Sequence, residues 1–183
     1  MFLAHLPAGY LLARGLLALP GASSLPLTQQ RRLLITGLIA SVLPDFDYLY
    51  FELATNHSIS HRAFPSHWPP SWLLIFFLVA VLACVLRQRE WHGCNLFLLA
   101  GVQLHFMLDT IAGPIRWLAP FDHTRFTLFH VPRQPGWWVW SYANHFSGWL
   151  EVAFIATALW LAWHTCRQHR HPVFVSNRIH SKE

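Results

Sequence analysis

The chain has 183 residues, 54% of them hydrophobic and only 11% charged, against roughly a quarter charged in soluble domains, so a water-soluble bundle is disfavoured and a bilayer is the expected solvent. The formal charge of +5 comes from arginines and lysines in short clusters between apolar runs. That distribution sets membrane topology and indicates no nucleic-acid partner.

Crossing the hydrocarbon takes roughly 20 mostly apolar residues. Five runs approach that length, at about 2–19, 33–53, 69–86, 94–112 and 147–166. The expectation is an all-α, polytopic membrane helix bundle of about five transmembrane helices. Residues 1–168 form its membrane-embedded domain and residues 169–183 a basic cytoplasmic tail. The first run is interrupted by His5, Pro7, Gly9 and Arg14, but has neither a basic leader nor a small-residue cleavage site, so it reads as a retained helix. Pro44 is expected to kink the second run. Cys84, Cys94 and Cys166 form no paired motif, which leaves neither a disulfide framework nor a thiolate metal site.

Basic clusters orient the runs. Arg31 and Arg32 precede the second, Arg87 and Arg89 follow the third, and Arg167, Arg170, Arg178 and Lys182 follow the fifth. With five spans all three clusters share one side, the cytoplasmic one, and the loops 54–68 and 113–146 lie outside. Arg62, Arg116, Arg125 and Arg133 run against this bias, an exception that an anionic substrate would account for.

Ionisable groups at membrane depth are costly and point to function by default. On this map His5 stands at the outer end of the first run, and Asp45 and Asp47 late in the second. His61 and His67 occupy the next outer loop. His105 and Asp109 stand in the last turns of the fourth run, and Glu151 one turn into the fifth. Singly, each piece has a bland reading. A His and an Asp four apart make an ordinary helix hydrogen bond, and a carboxylate often marks a helix start. Converging at one depth from five segments, they indicate a site.

Imidazoles and carboxylates without cysteine suit a divalent metal in a hydrolytic site, zinc first and manganese or iron as alternatives. The donors exceed the needs of one tetrahedral zinc, so a two-metal site bridged by Asp45 or Asp47 is open. Asp45, Asp47, Arg62 and His67 are the candidate catalytic residues. Arg62, Arg116 or Arg125 would hold an anionic oxygen. Trp117, Trp137, Trp138, Trp140 and Tyr142 crowd the loop 113–146 and form an aromatic belt or a lipid entry surface. His123, His130 and His145 share that loop without a spacing that singles one out.

The order of His5, Leu43-Pro44-Asp45-Phe46-Asp47, the stretch His61 to His67 and the stretch Gln103 to Pro114 resembles the LexA-regulated, inner-membrane-associated metal-dependent hydrolase family over roughly residues 1–121. The resemblance implies a bacterial inner-membrane protein whose ligands are His5, Asp45, Asp47, His61, His67, His105 and Asp109, with Thr110 following the last. His61 and His67 stand one residue further apart than in the family's common form, while Trp68-Pro69 matches a related form. The family is distantly similar to zinc-dependent phospholipase C and P1-type nucleases, which implies a phosphoester substrate, lipid or otherwise. The competing reading is a non-enzymatic membrane protein that binds or moves a metal ion or proton. Against it, the inner halves of the runs are nearly all apolar.

Overall fold

A computed structural model describes residues 3–54, 61–129 and 145–170. These residues are helical except for loops and one antiparallel bridge between Ile115 and Phe126. The elements are α1 (His5–Leu17), α2 (Leu27–Val42), α3 (Asp47–Ala54), α4 (Pro69–Val85), α5 (Arg89–Ala112) and α6 (Phe146–Arg170).

Three of these helices carry seams of buried residues spaced by four, with small residues at their centres, which recur on one helix face. They are His5-Gly9-Ala13-Leu17 in α1, Leu33-Gly37-Ser41 in α2 and Phe97-Gly101-His105-Asp109 in α5, all buried. Small residues let backbones approach closely where hydrophobic attraction between helices is weak. A β-carbon on Gly101 would lie 2.6 Å from Ala40 Cβ and 2.8 Å from the Gly37 carbonyl oxygen, and one on Gly9 would overlap Ser41. Gly9 meets Ser41 and Ala13 meets Gly37, so α1 and α2 are antiparallel. Leu33 meets Gly93 and Gly37 meets Phe97, so α2 and α5 are parallel. Glu151 accepts a hydrogen bond from the Leu3 amide at 3.0 Å, and Thr165 lies 3.5 Å from Arg14, so α6 runs parallel to α1. The start of α1, the end of α2, the end of α5 and the start of α6 therefore share one end of the bundle.

The structure departs from the expected spans in two respects. The run 33–53 is not one helix: α2 stops at Val42, a tight 3₁₀ turn covers Leu43–Phe46, and α3 restarts at Asp47. Pro44, which has no N–H and clashes with the preceding turn, explains the break, a stronger interruption than a kink. Second, only two helices among the described residues, Arg89–Ala112 and Phe146–Gln168, are long and apolar enough to cross a membrane. Helices α1, α2 and α4 have 13, 16 and 17 residues, or roughly 20–26 Å against a hydrocarbon layer of ~30 Å. Five full-length spans are thus not what the helix lengths give.

The outer faces are strongly apolar. Leu74, Phe77, Leu78, Val81 and Val85 of α4, and Trp149, Leu159, Trp160 and Trp163 of α6, are exposed. A surface of this kind is uncommon in soluble monomers and suits lipid.

Candidate metal centre

Four side chains from three segments meet at the shared end. Asp45, His67, His105 and Asp109 each offer a ligand atom, and these atoms lie within 4.8 Å of one another. Each arrives by a different local device. The 3₁₀ turn that follows Val42 turns Asp45 inward from the end of the α2 seam. Pro65 opens a second such turn and Pro69 starts α4, pinning His67 between them. His105 and Asp109 are consecutive steps of the α5 seam.

The two imidazoles are oriented from behind. His105 donates from Nδ1 to the Ser41 carbonyl oxygen at 3.0 Å, which selects the tautomer whose Nε2 lone pair faces the cluster. That Nε2 has no hydrogen-bond partner among the described residues, with Asp45 Oδ1 at 3.6 Å and Asp109 Oδ2 at 4.0 Å. His67 Nδ1 donates to Asp47 Oδ2 at 2.9 Å, and its Nε2 lies 3.3 Å from Asp45 Oδ1. Asp47 in turn accepts a short hydrogen bond from Ser66. A carboxylate or carbonyl behind each ligating histidine is the usual support of a metal site.

Burial and charge fit a cation. A buried polar atom without a hydrogen bond is expensive, and among the described residues His105 Nε2 and both ring nitrogens of His5 make none, with only the carboxylates of Asp45 and Asp109 beside them. The side chains of His67, His105 and Asp109 are 0%, 0% and 1% exposed, while that of Asp45 is 37% exposed. The cluster is therefore dry on three sides and open beside Asp45. Burial opposes a charge on His67, yet its contacts with Asp45 and Asp47 outweigh that and hold its pKa up at about 9. With the ring protonated, it answers the two carboxylates as a metal would.

The remaining candidates take other places. His5 is brought in, stacked on His105 with ring centroids 4.1 Å apart, and its Nε2 lies 3.4 Å from Asp109 Oδ1. It flanks the four converging atoms without joining the tightest set. Asp47 stands behind His67. Arg62 lays its fork on Asp109, from Nε to Oδ2 at 2.9 Å and from Nη2 to Oδ1 at 3.1 Å. Glu151 holds the Leu3 amide and lies outside the four converging ligand atoms. The side chain of His61 lies outside the described residues, as do His130 and Trp137, Trp138, Trp140 and Tyr142. His123 is exposed, its ring 5.9 Å from that of Trp68, and His145 bonds to Ser147 at 2.9 Å.

Sequence reading missed Ser41, Ser66 and Gly113. Ser41 acts through its carbonyl, which no side-chain pattern reveals. Gly113 leaves room for Arg62: any β-carbon there would overlap the guanidinium. The segment after it folds back on α5, with the Leu128 amide donating to the Thr110 carbonyl at 2.8 Å and Trp117 Nε1 to Thr110 Oγ1 at 3.0 Å.

A family model described as YdjM inner membrane protein matches residues 1–171. The chain belongs to this family. All four converging ligands lie inside the matched region of the YdjM inner membrane protein family. The chain is also 33% identical over 105 residues to the inner membrane protein YbcI of Escherichia coli (strain K12), a match covering 52% of this chain and 57% of that protein. The chain thus spans somewhat more than half the length of that curated relative. No solved structure matches. Family and relative are both described as inner membrane proteins, in agreement with the apolar composition of this chain.

Proposed function

We propose that the protein is a multi-pass inner-membrane hydrolase that uses a divalent metal, zinc first and manganese or iron as alternatives, to cleave a phosphoester in a lipid or envelope metabolite. The observation that carries this reading is the convergence of Asp45, His67, His105 and Asp109 within 4.8 Å at one end of the bundle, with solvent reaching only the Asp45 side. Four donors suit a single ion, so the one-metal form of the site is the one proposed. When bound, the metal supplies the Lewis acidity that activates water at neutral pH.

The chain's own residues do the rest. Ser41 and Asp47 aim the imidazoles, Ser66 steadies Asp47, and Arg62 holds Asp109 by two parallel hydrogen bonds. Because that fork is committed to a carboxylate, an anionic substrate falls to Arg116 and Arg125, which form no ion pair with the described residues. Both lie in the segment that folds back on α5. Substrate enters beside Asp45, where Phe46 is exposed, consistent with a lipidic ligand.

The transport alternative is less well supported. Between the cluster and the opposite end the packed layer is Ala13, Leu17, Leu33 and Phe97, with no ionisable side chain among these buried residues. We assign the site to the outer face, opposite the basic pairs Arg31–Arg32 and Arg87–Arg89, and retain five membrane passages, with α1, α2 and α4 short and locally thinning the bilayer.

Metal analysis of the detergent-purified protein tests the reading together with product release from phospholipids, prenyl phosphates and nucleotides. Bound metal in wild type, its loss in Asp45→Ala, and metal-dependent product release in one class are expected. Metal flux in proteoliposomes without hydrolysis of any class would transfer the protein to the transport reading. For orientation, a thiol probe applied outside is expected to reach a cysteine placed at 123 and not one at 89. The reverse would invert the topology.

A further inference from the structure

The end of the bundle opposite the metal cluster carries a feature that the hydrolase reading does not use. A cavity of about 290 Å³ opens between the last turns of α1 and the first turns of α2. Its walls are Leu17, Leu27 and Leu34, and its polar lining is Arg14, Arg31 and Gln30. Gln30 is engaged: its side-chain amide donates to the Ser23 and Leu25 carbonyls at 3.2 and 2.8 Å, tying the connecting loop to α2. The two arginines have no carboxylate in reach among the described residues. Arg14, half-buried, donates a hydrogen bond to Thr165 Oγ1 at 3.5 Å.

The neighbouring crevice between α2 and α5 provides the contrast. It is lined by Arg32, Arg89 and Glu90, and Glu90 pairs with Arg32 at 3.3 Å. A cation there already has its counter-ion. At the α1–α2 crevice two guanidinium groups stand over leucine walls with no acid among the described residues to answer them, in an inner-membrane protein.

We propose that this crevice binds the headgroup phosphate of an anionic phospholipid between Arg14 and Arg31, with an acyl chain lying along Leu17, Leu27 and Leu34. Guanidinium groups bind phosphate oxygens through paired N–H donors. Basic pockets between membrane helices favour anionic headgroups, at about fivefold in affinity for each arginine near the surface. The apolar wall separates a lipid from a free phosphate, which has no use for it. This site stands apart from the metal cluster and does not rest on the hydrolase reading.

The test titrates the full-length protein in detergent with phosphatidylglycerol, phosphatidylcholine or inorganic phosphate, reading bound lipid by native mass spectrometry and the shift in thermal unfolding. Phosphatidylglycerol is expected to bind at least about tenfold more tightly than phosphatidylcholine, since two arginines contribute. Arg31→Gln, an exposed position that folding tolerates, is expected to remove about fivefold of this preference, and Arg14→Gln with Arg31→Gln to abolish it. Arg32→Gln is expected to leave it intact. Equal binding of the two lipids by wild type, full preference retained in Arg31→Gln, or displacement of phosphatidylglycerol by millimolar inorganic phosphate would each overturn the proposal.

Discussion

At one end of the bundle Asp45, His67, His105 and Asp109 are packed so that three of the four side chains are sealed from solvent, each held by a further hydrogen bond or ion pair. At the other end Arg32 meets Glu90 at 3.3 Å with the side chains 69% and 61% exposed. The two ends use the same chemistry of charge and differ in solvent. Water screens the Arg32–Glu90 pair and limits it to about 0–1 kcal/mol. At the sealed end no water compensates a removed partner, so loss of one group leaves the others buried and uncompensated. A close charge pair therefore says little about function until its burial is known.

Substitutions at the two ends should differ accordingly. The largest effect is expected from Asp45→Ala and His105→Ala, each of which should leave the purified protein without stoichiometric metal. Together they should cost little more than either alone, because residues sharing one ion act as a unit. Metal content by elemental analysis decides it, and stoichiometric metal in the folded double variant would remove the contrast between the ends. Next come the residues behind the ligands. Asp47→Asn keeps the size of the side chain but weakens the hold on His67, and a drop in metal affinity of about 10–100-fold is expected by competition with a chelator.

Gly113→Ala sharpens the comparison from the backbone side. Its methyl group would displace the Arg62 guanidinium from Asp109, so it should lower metal affinity to the same degree as Arg62→Lys, about tenfold in each case. Different losses in the two variants would separate the fork from the glycine. Gly101→Val tests the seam that positions both ligands of α5, and overpacking there should cost about 1–3 kcal/mol of stability by thermal or denaturant unfolding. The smallest effect belongs to the basic end. Arg32→Gln is expected to change stability by less than about 1 kcal/mol and metal content not at all. A larger loss would mean that this end is not the screened surface its exposure describes.

The helical class, the apolar character of the runs and the identity of the ligand candidates were legible in the residues themselves. Hydrophobic runs, the proline at 44 and the four-residue spacing of His105 and Asp109 are local properties of the chain, and local properties survive without knowledge of the fold. Tertiary structure alone decided how the candidates divide. His105 is held by a carbonyl 64 residues away and Arg62 by a carboxylate 47 away, separations that no spacing rule spans. The break of the second run into α2 and α3 placed Asp45 in the cluster and Asp47 behind His67, although two positions apart they looked equivalent. The physical reason is that ligand convergence depends on how closely the helices cross. That distance is set by the close approach at Gly9, Gly37 and Gly101, where an added β-carbon would meet the facing helix at 3.0 Å or less and push it away.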